Sequence, residues 1–406
     1  MRGLLLVLLL SLISPAPLHS SAFPPSIPSV ETGNALTAER VALFIRAFLE
    51  TNSLPPDYHP KTTELSHVLP VFGPSPDAAA PYDKFTPLPL SYYISSPTSH
   101  RTPPPHPETT SYYRSLPAPP ALSIGVISHY KNTGHRLACR STWLSPSFSS
   151  DGLRPTISKF FIALPPSGKI ADLPTSTLIE ALLFDDILLL PFVDSYSATP
   201  LKSVSIFQWG SKTTGSSFTL RSNDDVYLSL PPLLPSLYAT PPSRVVAGLL
   251  IDGSSMRIPR PTHWGLPDDR AGQQQLLDSH RAWTFTHADW PCDAVPDFPQ
   301  GNAFVLSSDL ALAVAALADR PWLSLEYVAD DVLVGLTVDQ AAGGNLRSLH
   351  VNAGYQHEGA WVPCDGSRDW FFNVHSEYLY WIHDNIINKR DKCQGLDAVL
   401  CCGIQG

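Results

Sequence analysis

Proline is distributed unevenly along this chain, and that asymmetry constrains its folding more than any other feature. Of the 42 prolines in 406 residues, many crowd the stretch from 22 to 120 among Ser, Thr and Tyr, as in Pro103-Pro104-Pro105 and Pro117 to Pro120. Proline fixes φ and donates no backbone hydrogen bond, so such a stretch reads as an extended stem. One segment departs from this: Val41, Phe44, Ile45, Phe48 and Leu49 recur at helical spacing behind Thr37, which predicts a short helix near 37–51. From Ala121 onward, short apolar runs alternate with turn clusters and helical patterns.

The alternation predicts strands over Leu122–Ser128, Phe160–Leu164, Ile187–Val193, Ser217–Leu220, Val245–Ile251, Phe304–Leu306 and Val332–Leu336, and helices over Leu178–Phe184, Pro200–Trp209 and Leu310–Asp319. Buried strands interleaved with helices imply an α/β domain over 121–390 with a mostly parallel sheet and a Cys-containing tail over 391–406. Ligands bind such sheets beyond the carboxyl ends of the strands.

Residues 1–21 hold one basic residue, the apolar run Leu4–Ile13 and small residues near Ser20. The run is too short to span a bilayer and reads as a cleavable signal peptide or a short signal anchor. Either routes the chain into the secretory pathway, with membrane contact only if the segment is retained. Six cysteines, Cys139, Cys292, Cys364, Cys393, Cys401 and Cys402, would then meet an oxidising compartment suited to disulfides. With 27 Lys and Arg against 36 Asp and Glu, the formal charge of -9 argues against a nucleic-acid partner.

Arg221-Ser222-Asn223-Asp224-Asp225-Val226-Tyr227 follows an apolar strand. Carboxylates crowded at a strand end repel one another, and a hard divalent cation would relieve them. An ordinary acidic turn explains the same residues. The motif has company, however: Arg136-x-x-x-Arg140-x-Thr142-Trp143, then Asp186-Ile187-Leu188, Phe192-x-Asp194-Ser195-Tyr196 and Leu201-Lys202, and later Trp290-Pro291, Phe304-x-x-Ser307-x-Asp309, Asp330-Asp331-Val332 with Gly335, Cys364 and His375.

In this order and spacing the chain resembles the β-1,3-glycosyltransferase family of β-1,3-galactosyltransferases, β-1,3-N-acetylglucosaminyltransferases and Fringe, over roughly residues 121 to 385. The resemblance implies the A-type glycosyltransferase fold, Rossmann-like with helices on both faces of the sheet. It implies an inverting hexosyltransferase of the Golgi lumen that moves galactose or N-acetylglucosamine from a UDP-sugar to a glycan hydroxyl in β-1,3 linkage with Mn2+. The acceptor would be a glycan, glycoprotein or glycolipid.

Carried over by motif, Asp225 and His375 would hold the metal and Asp331 would be the general base. Arg136, Arg140, Asp194, Arg221, Asn223 and Asp224 would bind the donor, and Trp290 and Asp330 the acceptor. Asn223 stands where the family has an acid, which keeps a second reading open: a catalytically inactive relative that binds glycans or assists another transferase. Trp143, Phe192 and Tyr196 read as core residues.

Overall fold

The computed structural model describes residues 88–90, 119–145, 156–256, 258–281, 284–287, 294–319, 329–351, 353–355 and scattered positions between 370 and 383. The N-terminal segment, the helix expected near 37–51 and the Cys-containing tail lie outside the described residues.

The strands in chain order are β1 (Leu88–Pro89), β2 (Leu122–Ile127), β3 (Thr156–Leu164), β4 (Ile187–Val193), β5 (Phe218–Asn223), β6 (Tyr227–Leu228), β7 (Val245–Ile251), β8 (Phe298–Ser307), β9 (Arg347–His350), β10 (Ala353–Tyr355) and β11 (Trp370–Phe372). The main helices are α1 (Thr133–Ser141), α2 (Thr175–Phe184), α3 (Thr199–Gln208), α4 (Leu230–Ala239), α5 (Ser308–Ala315) and α6 (Asp330–Ala342). The main sheet runs β1-β4-β3-β2-β5-β8-β7-β9, and β10-β11-β6 form a small second sheet. The pairs β4-β3, β3-β2, β2-β5 and β7-β9 are parallel, while β8 lies antiparallel to both its neighbours and β1 antiparallel to β4.

Alternate residues of each strand feed opposite faces, as period two demands. Phe160, Ile162 and Leu164 of β3 join the core under α1, α2 and α4, with Ala138, Leu178, Leu182, Leu233 and Leu237. Phe161 and Ala163 face the other way and pack with Ile206 and Trp209 at the end of α3. On that side Val204 and Phe207 of α3 meet Leu310 and Val314 of α5 and Leu333, Val334 and Val338 of α6. Gly125 of β2 is required by this packing, because a Cβ there would collide with Ile206.

Among the elements that differ from the sequence expectation, three have a plain physical reason. Val332–Leu336 is helix, not strand: it lies within α6, whose Val332, Leu333, Val334, Gly335 and Val338 are all buried. A helix covered on several sides loses its 3.6-residue signature, and a short Val/Leu run then mimics a strand. Strand β8 begins at Phe298, six residues earlier than expected, despite Pro299 and Gly301. Leu250 pairs with Pro299 and Gly248 with Phe304, so the register with β7 shifts and Gln300–Asn302 form a bulge, while Ala303 stays paired with Ser222 of β5. The third difference lies in the stem stretch, where Leu88–Pro89 adds an antiparallel edge to β4 and Leu90 enters the core. An edge is where a residue without a donor can sit in a sheet.

Candidate active site

The sequence places β3 on one side of β2 and β5 on the other, so a crevice opens where the chain crosses between them. A pocket of about 390 Å³ occupies that crevice. Its walls come from the carboxyl ends of β2 (Ser128, His129), β4 (Asp194 to Tyr196) and β5 (Asn223 to Asp225), the first turn of α3 (Lys202), the β8 bulge (Gln300 to Asn302) and the start of α6 (Asp330).

Asp224 is buried and well partnered: its Oδ2 accepts from Ser128 Oγ at 2.6 Å and Asn132 Nδ2 at 3.1 Å. Asp225 is not. Among the described residues its Oδ1 is buried without a hydrogen-bond donor, while its backbone carbonyl accepts from Val374 N at 2.7 Å. Burial, followed by the charge of Asp224, pushes the Asp225 carboxyl up to about 6. A buried carboxylate oxygen with no donor, facing a pocket beside a second carboxylate, is chemistry that fits a hard cation. Asp194 presents a second such oxygen: its Oδ1 pairs with Lys202 Nζ at 2.6 Å and its Oδ2 has no partner.

Arg221 braces the opposite wall. Its Nη2 pairs with Asp330 Oδ2 at 2.8 Å, its Nε donates to Ser203 Oγ at 3.0 Å, and its Nη1 donates to the Gly301 carbonyl. Ser203 Oγ also donates to Asp330 Oδ2 at 2.7 Å. Asn223 lines the pocket and donates from Nδ2 to Asn302 Oδ1 at 3.1 Å, which ties β5 to the bulge.

Asp331 does not line the pocket. It is 1 % exposed, tucked beneath the bulge, with Oδ2 accepting from Gly301 N at 3.2 Å and Oδ1 from Val332 N at 2.9 Å. Burial, then the Asp330 charge, raises its carboxyl to about 7 despite those donors. A side chain at position 301 would run into this carboxylate.

The two arginines expected to bind the donor, Arg136 and Arg140, do not line the pocket. Arg136 and Arg140 lie on the buried face of α1 and converge on Glu180, at 2.6 Å each, and Arg140 also pairs with Asp186 at 2.7 Å. The Arg140 guanidinium sits over the rings of Phe160 and Phe184. Two cations around one buried carboxylate explain the placement, because each charge is desolvated only in company. Burial alone would raise the Glu180 carboxyl, yet Arg136 and Arg140 hold it below its usual range. Arg136 still touches the site at one remove: its Nη1 donates at 2.9 Å to Ser128 Oγ, the hydroxyl that donates to Asp224.

Trp290 and His375 lie outside the described residues. Trp143 is core as expected, but Tyr196 is 46 % exposed on the pocket rim. Cys139 carries a free, buried thiol whose Sγ donates to the Asp224 carbonyl at 3.4 Å. Burial, then Asp224, raises that thiol well above its usual range, which leaves it unreactive. The other five cysteines lie outside the described residues.

The motif reading left His129, Asn132, Lys202, Gln300 and Asn302 without a role, although all line the pocket. For His129 a signal existed, since it directly follows the first parallel strand. Its Nδ1 accepts from Lys131 N at 3.2 Å, and burial lowers its pKa, so the ring is neutral and presents Nε2–H.

A family model described as galactosyltransferase matches residues 134–342, just over half of the chain. Among similar curated proteins, hydroxyproline O-galactosyltransferase GALT2 of Arabidopsis thaliana is 25% identical over 294 residues, covering 70% of this chain and 38% of that protein. Beta-1,3-galactosyltransferase GALT1 of the same plant is 26% identical over 254 residues, 63% of this chain and 35% of that protein. Human lactosylceramide 1,3-N-acetyl-beta-D-glucosaminyltransferase is 23% identical over 287 residues, 68% of this chain and 71% of that protein. The chain thus spans little more than a third of the plant relatives' length. Among the described residues, no helix is long and apolar enough to cross a membrane.

Proposed function

We propose, from the premise that the chain belongs to the galactosyltransferase family, that it transfers galactose or N-acetylglucosamine from a UDP-sugar to a glycan hydroxyl in β-1,3 linkage, with inversion, in the secretory pathway. One observation carries this reading. The pocket lies at the carboxyl ends of β2 and β5 and contains Asp225, whose buried Oδ1 has no donor.

Asp225, with Asp224 beside it, would hold a divalent cation such as Mn2+, which supplies positive charge to a departing diphosphate. Asp224 is held for this by Ser128 and Asn132, so its second oxygen is directed without a search over rotamers. Lys202 places a buried ammonium on the same wall, with Asp194 fixing its position. His129 offers a neutral donor at the β2 end, where a nucleoside would meet it. On the opposite wall Arg221 and Ser203 clamp Asp330, which would meet an acceptor hydroxyl.

A base must accept a proton from that hydroxyl near neutral pH. Asp331, raised to about 7, has the proton affinity for the task, but Gly301 covers it, so this role would require the Gly301 segment to move aside. Asp330 is in the pocket already but is paired with Arg221. The shielding of Asp331 and the amide at Asn223 favour one second reading, a relative that binds donor without turnover.

Release of UDP from a panel of UDP-sugars by the purified full chain with Mn2+ tests both. Turnover with one donor, lost on Asp225→Ala, is the expected result. UDP binding without turnover on any donor and acceptor would establish the inactive relative instead. Absence of both binding and turnover would sink the reading.

A further inference from the structure

We propose that Trp264, stacked with His280 and continued by Tyr196 along the pocket rim, forms a platform for the sugar rings of a neutral oligosaccharide acceptor. The proposal rests on the transferase reading for the word acceptor alone. The platform itself is argued from the surface.

Seven large apolar side chains are exposed among the described residues, and four of them fall on two segments in contact: Val193 at 44% and Tyr196 at 46% at the end of β4, and Trp264 at 43% and Leu277 at 70% beside the short helix that packs on the Tyr196 turn. Single exposed apolar residues need no explanation, but a cluster beside a concave site does. Val193 and Tyr196 stand at the end of β4, and Tyr196 is itself a wall of the pocket. The short helix Asp278–Arg281 packs against the turn Tyr196–Ala198. His280 of that helix carries the Trp264 ring, with centroids 5.7 Å apart and planes within 26°.

The platform is mounted rigidly, which a binding surface requires and an incidental exposed ring does not. Trp264 closes the turn Pro261–Trp264, and Gly265 ends it at φ 72, a left-handed conformation that glycine adopts without strain. Behind the turn, Arg260 is buried and donates to the Phe285 carbonyl at 3.3 Å, and Phe285 N donates to Pro259 O at 3.0 Å. Gln273, fully buried, donates to the Thr284 carbonyl. Phe285 and Ile258 then pack with Phe298, Ala329 and Val332, which belong to β8 and the start of α6. Ala329 lines the pocket next to Asp330, so one small apolar cluster fixes the platform relative to the acidic wall.

Occupant chemistry follows from the ring surfaces. A pyranose offers an apolar face of C–H groups and a rim of hydroxyls. Flat, partly wetted indole, imidazole and phenol rings cover the first and leave the second in water. A saccharide reaching from Tyr196 outward to Trp264 would present its terminal hydroxyl toward Asp330 while its inner residues lie on the platform.

The test titrates N-acetyllactosamine oligosaccharides onto the full chain, with saturation-transfer NMR reporting contact, and titrates UDP separately. Trp264→Ala is expected to weaken saccharide binding about tenfold, Trp264→Tyr to restore most of it, and both to leave UDP affinity and the melting temperature unchanged. Equal saccharide affinity in wild type and Trp264→Ala would overturn the proposal, as would absence of saccharide binding to the wild type. Loss of UDP affinity in Trp264→Ala would also overturn it, since the ring would then serve the donor pocket. A wild type that binds saccharide through Trp264 but never binds UDP would uphold the platform and sink the transferase reading, so the two fail separately.

Discussion

Two clusters of acids and bases sit on either side of Ser128, built from the same residue types and wired oppositely. Behind it, Arg136, Arg140, Glu180 and Asp186 form a buried network in which each carboxylate faces guanidinium groups. In front, Asp194, Asp224, Asp225 and Asp330 share the pocket with Lys202 and Arg221, Asp331 lies just beneath, and Asp194 and Asp225 each keep an oxygen without a donor. One carboxyl of the first cluster and two of the second shift in opposite directions: Glu180 is held below the usual carboxylate range while Asp225 and Asp331 rise to about 6 and about 7. Charge that is complete makes structure; charge left incomplete awaits a ligand.

The sharpest way to break this contrast is Glu180→Ala, which strands the buried Arg136 guanidinium and leaves Arg140 with Asp186. A loss of about 3–5 kcal/mol is expected by urea unfolding, since removing one partner leaves uncompensated buried charge. A loss below about 1 kcal/mol would show that the network is not structural.

Asp225→Asn should do the reverse, abolishing UDP-sugar turnover while raising stability at pH 8 by on the order of 1–2 kcal/mol, because it removes a charge that burial opposes. If the variant unfolds more easily than wild type, Asp225 belongs with Glu180 rather than with the pocket.

The pH profile separates the clusters by sign. Asp331 is raised from 3.8 to about 7, so the native state holds its proton more tightly than the unfolded chain, and the associated stability is present in acid and lost as pH rises through that window. Asp331→Asn should flatten the melting temperature over that range. Glu180 is depressed, so its stabilisation is present above its unfolded value and is lost only as pH falls through the folded one. Identical slopes for wild type and Asp331→Asn would contradict the first assignment.

The smallest effect is expected from Asn223→Asp. Stability should change by less than about 1 kcal/mol, as one side-chain hydrogen bond to Asn302 is exchanged for another. UDP-sugar turnover should rise if the amide limits donor or metal binding. Unchanged turnover would show that it does not.

Local pattern carried much of the fold. Ile187–Val193 and Val245–Ile251 were bounded correctly because apolar runs closed by Asp and Gly leave little choice of length. The acidic turn after β5 was legible for the same reason: a strand end brings its next residues to the site edge. What pattern could not convey was which way charged side chains point. Arg136 and Arg140 stand in a phosphate-binding context by motif, yet both turn inward on α1, because Glu180 on α2 is buried opposite them. Asp330 and Asp331 are neighbours in sequence, and the first turn of α6 sends one into the pocket and the other beneath Gly301. Gln300 and Asn302 enter only because β8 bulges, a register event between distant strands.

By itself, then, the sequence determined the α/β alternation, the bounds of β4 and β7 and the presence of an acidic motif after β5, since these depend on periodicity and turn residues a few positions apart. Tertiary structure alone decided which charges pair and which stay open to the pocket. Desolvation acts on every group packed around a side chain, and those groups come from elements 40 to more than 100 residues away along the chain.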